Sequence, residues 1–135
     1  MPAKDEDPSE YSTAMKEAED LAAKGDLMRT AARLHQVLRV ATSGRQRLLA
    51  RTRFAEILLN RNALQDLWPY LAALLDDVDR HQLERFDPEL AIRALGVVYR
   101  GLNGTESNGK PGRGAILTRI AALDYGEALL LSKST

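Results

Sequence analysis

Two histidines and a cluster of aspartates are the side chains in this sequence that come closest to a chemical site. Asp76, Asp77 and Asp79 precede His81 in the segment DDVDRH, and one histidine among several carboxylates can bind a metal ion. A histidine is also favoured at a helix end, because the carbonyl end of the helix dipole attracts its positive charge. We interpret the cluster as a solvated helix end, and His35 as a neighbour of an apolar stripe. The sequence therefore predicts no metal and no other cofactor.

The glycine-rich segment NGTESNGKPGRG, residues 103–114, carries a lysine and an arginine and invites comparison with a phosphate-binding loop. That loop requires two spaced glycines followed by Lys and then Ser or Thr, and this spacing is absent. No serine lies in a nucleophile motif, and no glycine-rich fingerprint follows a strand. We expect 103–114 to be a mobile loop, and we expect a protein that is not an enzyme and has no small-molecule substrate.

Four arginines early in one expected helix are candidates for charge contacts with a partner or a neighbouring subunit: Arg45, Arg47, Arg51 and Arg53. Arg47 and Arg51 share a helix face, along which a phosphate backbone could lie. Only Phe54 interleaves with the arginines, and the flanking segments are acidic. We therefore expect no nucleic acid and interpret the arginines as partners of carboxylates.

The charges cancel overall but are segregated along the chain. The 135 residues hold 19 Lys or Arg and 19 Asp or Glu, so no net charge favours nucleic acid or a membrane. Residues 1–27 hold eight acids and three bases, residues 28–62 hold eight arginines and one acid, and residues 63–93 hold seven acids and three arginines. Two interpretations stay open: the blocks pair inside the fold, or they also meet between subunits and set their register.

The chain has no cysteine and no apolar run near the roughly 20 residues that span a bilayer. Its first residues, MPAKDEDPSE, are polar and acidic, unlike a secretory signal peptide. We expect residues 1–9 to be disordered, residues 10–131 to form a single helical domain, and the chain not to insert into a membrane.

Apolar residues at helical spacing predict a first hairpin of two helices. A stripe from Tyr11 to Ala22 ends at Gly25, which is placed as a helix-terminating glycine. Asp26 then caps a second helix. Its apolar face is expected to contain Leu27, Ala31, Leu34, Leu38 and Ala41.

A second hairpin is expected next. Ser43 and Gln46 are spaced as a capping box at the start of the third helix. The fourth helix carries an apolar stripe that ends at Val78, and Asp66 as its cap would place Pro69 in the first turn, where proline is tolerated. The two hairpins resemble each other at an offset of 37 residues, which is typical of tetratricopeptide-like packing.

The segment QLERFDPELAIRALGVVYRGL, residues 82–102, organises the rest of the chain. Asp87 is placed as the cap of a helix that begins at Pro88. From Leu90 to Leu102 only Arg93 and Arg100 are charged, and a helix apolar on almost all sides must be buried on almost all sides. We expect a second copy of the protein to cover part of it. A short helix over 115–123, a turn at 124–126 and a helix over 127–131 should follow, and three consecutive leucines at 129–131 must pack on the core or on a neighbouring subunit.

Three motifs resemble the C-terminal domain of the type VI secretion TssA (ImpA/VasJ) proteins. The first is SGRQR at the start of the third helix, which continues into AEIL. The second is Pro69 early in the fourth helix, followed by spaced leucines. The third and most specific is LERFDPELA, where the family has Leu-Glu, then Trp, an acid and Pro. The closing segment ILTRIAALDYGEALLL also resembles the family, and together the resemblance covers about residues 10–131.

The resemblance implies an all-α, tetratricopeptide-like domain of about six to seven helices that assembles into a ring, often a double ring with dihedral symmetry. It also implies a non-enzymatic scaffold in the bacterial cytoplasm, which engages the baseplate and the tail tube and sheath. Phe86 in place of Trp, Tyr125 in place of Pro, and the inserted loop 103–114 depart from the family pattern. The alternative is a monomeric tetratricopeptide-like adaptor whose arginines bind an acidic peptide.

The C-terminal half is where we expect the contact between subunits, because its helices are the most apolar. The expected interface residues of the long helix are Phe86, Leu90, Ile92, Arg93, Leu95, Val98, Tyr99, Arg100 and Leu102. The expected interface residues of the last segment are Ile116, Leu117, Ile120, Leu123, Tyr125, Leu129, Leu130 and Leu131.

Overall fold

The computed structural model describes residues 8–61, 67–102 and 110–133, and within these ranges it contains eight helices and no β-strand. The helices are α1 (Pro8–Ala23), α2 (Leu27–Val40), α3 (Gly44–Arg61), α4 (Trp68–Arg80), α5 (Leu83–Phe86), α6 (Pro88–Gly101), α7 (Arg113–Leu123) and α8 (Tyr125–Lys133). The predicted all-α class is confirmed. The contacts between residues divide the chain into two compact units, Met1–Ile57 and Leu58–Thr135.

In the first unit, α1 and α2 form the predicted hairpin. Gly25 has a positive φ of 82°, which a glycine adopts without steric cost. Asp26 caps α2, because its carboxylate accepts a hydrogen bond of 3.1 Å from the amide of Arg29. Helix α1 begins at Pro8, and residues 1–7 lie outside the described part of the chain, so the predicted disordered segment stays a prediction.

The core of the first unit is built from small and branched residues on α1, α2 and α3: Ala14, Ala18, Leu34, Val37 and Ala50. The predicted apolar face of α2 was partly wrong, because Ala31 is exposed whereas Thr30 and Val37 are fully buried. Thr30 is tolerated in the core because its hydroxyl donates a 2.7 Å hydrogen bond to the carbonyl of Asp26. Because Thr30 is polar, the sequence pattern did not mark it as part of the buried face of α2.

The start of α3 follows a variant of the predicted capping box. Ser43 Oγ accepts a 3.1 Å hydrogen bond from the amide of Gln46, as expected. The side-chain oxygen of Gln46 accepts from the amide and the hydroxyl of Thr42 instead of from Ser43, at 2.7 and 3.1 Å. Tyr11 donates to the carbonyl of Gln46 at 3.1 Å, and this bond ties α1 to the first turn of α3.

In the second unit, α4 begins at Trp68 with Leu67 in the N-cap position, so Pro69 lies in the first turn as predicted. The predicted cap, Asp66, lies outside the described residues. His81 occupies the C-cap position, which confirms the helix end predicted there.

Between α4 and α6 lies the one-turn helix α5, which the sequence did not predict because four residues are too few for a periodic pattern. It is preceded by Gln82, which adopts the left-handed conformation with φ 49° and ψ 47°. Asp87 then caps α6 through the amide of Leu90, at 3.4 Å, and Pro88 occupies the first turn. The start of the central helix is therefore as predicted.

Helix α6 is the centre of the second unit, where α4, α5 and α7 pack against it. Its buried residues are Leu90, Ala91, Ala94, Leu95, Val97, Val98 and Tyr99. Glu89, Arg93 and Arg100 are exposed and mark its polar side. The helix is thus mostly buried by helices of its own chain, and the expectation that a second copy covers part of it stays a prediction.

The last two helices differ from the prediction at their ends. Helix α7 begins at Arg113, so the predicted loop ends at 112, and residues 103–109 lie outside the described part. Asp124 caps α8 through a 3.1 Å hydrogen bond from the amide of Glu127, so Tyr125 and Gly126 belong to a helix and not to the predicted turn. Helix α8 packs on α7, and Leu131 Cδ1 would stand 3.8 Å from a side-chain carbon at Gly96 of α6.

Replacing Gly101 with alanine should lower the free energy of unfolding by about 1–2 kcal/mol. A methyl group there would overlap Leu71 Cδ1 and stand 3.6 Å from Leu59 Cδ2. Leu71 is fully buried, so moving its side chain aside disturbs the packing around it, and the cost of overpacking, about 1–3 kcal/mol, exceeds the gain in helix propensity of about 1 kcal/mol or less. Denaturant unfolding followed by circular dichroism measures the change.

Gly114→Ala in α7 is the matched control, because a methyl group there meets nothing within 4 Å. This variant should be as stable as the parent or more stable, by up to about 1 kcal/mol. Equal effects of the two substitutions would contradict the close packing of α6 on Leu71.

Candidate functional site

The structure separates the expected interface residues of the C-terminal half into three groups. Seven are buried inside the second unit and have almost no surface to offer a partner: Leu90, Leu95, Val98, Tyr99, Leu102, Ile116 and Ile120. Four are half-buried: Ile92, Leu117, Leu123 and Leu131. Six are exposed: Phe86, Arg93, Arg100, Tyr125, Leu129 and Leu130.

Helix α8 is apolar on two sides. Its inner side carries Ala128, which is 4% exposed, and Leu131, which packs near Gly96. Its outer side carries Tyr125, Leu129 and Leu130, which are 67%, 43% and 65% exposed; we call these three residues the α8 surface. Tyr125 and Leu129 are four residues apart and therefore share a helix face. Large apolar side chains grouped on one exposed helix are typical of a protein interface.

Helices α6 and α7 run antiparallel, which fixes the position of α8. Arg113, the first residue of α7, donates a 3.1 Å hydrogen bond to the carbonyl of Tyr99 near the end of α6, and its guanidinium stacks 4.4 Å from the Tyr99 ring centre. Farther along α7, Arg119 reaches back to Glu84 of α5, which precedes α6. The end of α7 therefore lies beside the start of α6.

This arrangement places Phe86 and Tyr125 at the same end of the second unit, because Phe86 immediately precedes α6 and Tyr125 immediately follows α7. Phe86 is 71% exposed. The guanidinium of Arg85 stands 5.6 Å from the centre of its ring. The sequence singled out both aromatic residues as interface candidates, and the structure leaves both open to a partner.

A cluster of opposite charges connects α5, the helix that ends at Phe86, to α7 and to the end of α4. Arg119 Nε donates a 3.0 Å hydrogen bond to Glu84, and its terminal nitrogen contacts both Glu84 and Asp79. The hydrogen bond with Glu84 is the main reason why the pKa of Arg119 is raised above its ordinary range. The sequence analysis missed Arg119, because Arg119 and Glu84 are 35 residues apart and no local pattern pairs them.

The arginines of α3 are not equivalent. Arg53 makes two 2.7 Å hydrogen bonds to the carboxylate of Glu19 and a 3.2 Å bond to Glu56. These contacts, that with Glu19 first, raise the pKa of Arg53. For this pair, the interpretation that acidic and basic blocks pair inside the fold is confirmed. Arg45 and Arg47 are exposed and Arg51 is half-buried, and their role as partner contacts stays a prediction.

Replacing Arg53 with glutamine should lower the free energy of unfolding by about 1–2 kcal/mol. The substitution leaves two carboxylates without their cation, and hydrogen bonds between charged groups are the stronger ones, although partial exposure reduces their worth. Arg47→Gln, in the same helix, is the control. Arg47 is exposed and its described bond is a single long one of 3.4 Å to a carbonyl, so its change should stay below about 0.5 kcal/mol.

The contribution of Arg53 to the free energy of unfolding should not depend on pH near neutrality. A pKa raised in the folded state gives stability that is complete below the strongly basic pKa of an arginine in the unfolded chain and is lost only above it. The stability difference between the parent and Arg53→Gln should therefore be constant from pH 7 to pH 9 in urea unfolding. A steady decline across this interval would contradict an arginine held by these carboxylates.

The two histidines and the aspartates of the segment DDVDRH are not brought together as a metal site. Among the described residues, no group of three or more histidine, cysteine, aspartate or glutamate side chains is arranged to hold a metal ion. His35 and His81 are both exposed. Asp76 is paired with Arg80, one turn further along α4, and Asp79 is paired with Arg119.

Comparisons with known proteins give one positive finding. The model of a type VI secretion family, described by the names EvfE, EvfF, ImpA, BimE and VasJ, matches residues 1–97. The match ends within α6, so the resemblance of the closing segment, which includes α7 and α8, stays a prediction. No curated protein and no solved structure matches the chain. Within the described ranges, no helix combines the length and apolar character that crossing a membrane requires. Because the family match covers more than half of the sequence, the chain belongs to the ImpA/VasJ family of type VI secretion proteins.

Proposed function

We propose that this type VI secretion protein is a non-enzymatic scaffold that assembles with copies of itself into a ring. Membership of the family supports a role related to type VI secretion, and the family is a structural component of that system and not a known family of enzymes. The observation that carries the proposal is the α8 surface, whose residues Tyr125, Leu129 and Leu130 are apolar and open.

A closed ring requires a heterologous contact, in which one patch of each subunit meets a different patch of the next. The α8 surface supplies an apolar patch, and Phe86 at the same end of the second unit extends it. Exposed charges such as Arg93 and Arg100 lie on the polar side of α6 and can fix the register of the contact. The buried residues of α6 and α7 act indirectly, because they hold α8 in place.

The partners of the ring, in this proposal, are baseplate and tail tube or sheath proteins of the type VI system in the bacterial cytoplasm. The alternative of a monomeric adaptor for an acidic peptide has less support, because Arg53, one of the arginines expected to bind the peptide, is already paired with Glu19 and Glu56. The exposed apolar residues of α8 also have no part in that alternative.

The mass of the purified chain in solution, measured by light scattering over a range of salt concentration, tests the proposal. The expected result is a large discrete species of many chains. Its apolar contact should persist in high salt, whereas any contribution of exposed charges should weaken as they are screened. A monomer at every salt and protein concentration would overturn the scaffold and favour the adaptor.

A further inference from the structure

A groove runs along the hairpin of the first unit, between α1 and α2. It consists of two cavities that share Gln36. The first, of about 240 Å³, is lined by Glu10, Thr13, Ala14, Glu17, Gln36 and Val40. The second, of about 340 Å³, is lined by Leu21, Arg29, Ala32, Arg33 and Gln36. Helix α3 is bonded to α1 through Tyr11 and Glu19. Neither of these residues lines the groove, so the contacts with α3 leave it open to a partner.

The length and the walls of the groove favour a helix as its occupant. The groove follows α1 from Glu10 to Leu21 and α2 from Arg29 to Val40, in each case over roughly 16 Å at the helical rise per residue. Backbone groups inside a helix are bonded within that helix, so the hairpin offers no edge with which an extended segment could pair its amides. A helix satisfies its own backbone, and it can pack beside two others at the usual separation of about 8–10 Å.

The two ends of the groove carry opposite charges that are available to a partner. Glu10 is exposed, and no hydrogen bond or ion pair joins it to another residue in the part of the chain that the structure describes. The side chain of Arg29 is 77% exposed and stands 3.6 Å from Asp26, which leaves guanidinium donors for a further carboxylate. Between these ends, Glu17 and Arg33 stand 3.4 Å apart and compensate each other. The groove is therefore acidic at one end, basic at the other and neutral in the middle.

The wall between the two charged ends is partly apolar. Ala14 and Val40 contribute to the first cavity, and Leu21 and Ala32 contribute to the second. Apolar side chains of a partner that enter these cavities would be removed from water together with this wall, which favours binding.

We propose that the groove binds a helical segment of another protein, one that carries a basic and an acidic residue about three turns apart on the face that also holds its apolar side chains. The basic residue pairs with Glu10 and the acidic residue pairs with Arg29, while the apolar side chains fill the two cavities. This site goes beyond the proposed ring, because its residues belong to the first unit and none of them belongs to α8.

Three synthetic peptides test this recognition in the full chain. Each is an alanine-based helix of about 18 residues, long enough to be helical in isolation. Two charged positions about eleven residues apart lie on one face, with leucines between them. The mixed peptide carries Glu and Lys at these positions, the acidic peptide carries two Glu, and the basic peptide carries two Lys. Fluorescence anisotropy of the labelled peptide measures its affinity. The parent chain should bind the mixed peptide about three- to tenfold more tightly than either of the others, since each of those brings like charges together at one end of the groove.

Reversing one charge of the groove should change which peptide is preferred. Glu10→Lys makes both ends basic, so the acidic peptide should become the tightest of the three. Arg29→Glu makes both ends acidic, so the basic peptide should become the tightest. Asp20→Lys and Arg39→Glu are the matched controls, because both residues are exposed on the same two helices but do not line the groove. Both controls should keep the preference for the mixed peptide.

A bulky side chain placed inside the groove tests its shape independently of its charge. Ala32 is exposed and lines the second cavity, so Ala32→Trp should weaken binding of the mixed peptide at least about tenfold, because the indole occupies the space of the partner's apolar side chains. Ala31→Trp is the control, since Ala31 is an exposed neighbour on α2 that does not line the groove. This variant should bind the mixed peptide within about twofold of the parent.

Equal binding of the three peptides by the parent, or no binding, would overturn the proposal, as would a preference that Glu10→Lys and Arg29→Glu leave unchanged. If Ala32→Trp lowers the mass of the assembled protein in light scattering, a second copy occupies the groove, and the proposal is overturned as well. The ring is tested separately, by the effect of Leu129→Glu/Leu130→Glu on that mass, so either proposal can fail while the other stands.

Discussion

Replacing Leu95 with alanine should lower the free energy of unfolding by about 2–5 kcal/mol, the cost of removing a fully buried leucine and leaving a cavity. Leu95 has no exposed surface and lies in the middle of α6, against which α4, α5 and α7 pack. Helices of the same chain surround the site, so the surrounding structure can collapse only partly into the space. Urea unfolding followed by circular dichroism measures the loss.

Leu130→Ala is the matched control for this substitution, because it removes the same atoms from a side chain that is 65% exposed. Its effect on unfolding should stay within about 0.5 kcal/mol, as is usual for surface substitutions. The total stability of a domain is about 5–15 kcal/mol, so Leu95→Ala removes a large part of it. A loss below about 1 kcal/mol would contradict the central position of α6.

The double substitution Leu129→Glu/Leu130→Glu should break the assembled protein into species of one or two chains. Two carboxylates on the α8 surface would have to be buried without a partner in the contact, and an unpaired buried charge is strongly unfavourable. In the single chain both positions face solvent, so helix content and unfolding should change little. Light scattering measures the mass, and circular dichroism measures the helix content.

Ala31→Glu/Ala73→Glu adds the same charge at two exposed positions that are not part of α8 and should leave the mass of the assembly unchanged. If both double variants dissociate alike, added charge rather than the α8 surface would be responsible. If neither does, the contact between subunits lies elsewhere.

Local signals in the sequence predicted most helix boundaries correctly. The signals at Gly25, Asp26 and Asp87 act through the residue's own backbone conformation or through an amide three residues away. Such interactions can be predicted from a short stretch of sequence. The sequence did not predict the buried face of α2 correctly, because Thr30 is polar and yet buried. The one-turn helix α5 has no periodicity to detect.

The candidate interface was harder to predict, for a physical reason. Leu95 and Leu130 are the same residue type on apolar helices, and the sequence marks both as surfaces that must be covered. Whether a helix of the same chain or a second copy covers them depends on tertiary packing, which single-sequence periodicity does not encode. The structure assigns Leu95 to the protomer's own core and leaves Leu130 open.

Charge patterning predicted which blocks of the chain attract each other, but not which individual residues form ion pairs. The acidic first block and the basic second block predicted a contact of the kind that Glu19 and Arg53 make at 2.7 Å. They did not identify which residues would meet. The contact of Arg119 with Glu84 and Asp79 lies outside that pattern, because Arg119 comes from the mildly basic end of the chain.

The most direct test of the account is the reactivity of a single thiol on α8. The chain has no cysteine, so Leu130→Cys provides one unique site for a maleimide reagent, and Ala31→Cys provides an exposed reference. If copies of the chain meet through the α8 surface, Cys at position 130 should react much more slowly than the reference in the concentrated, assembled protein and should match it after dilution. Equal rates in an assembly whose mass is unchanged would show that α8 stays open and would contradict the proposed contact.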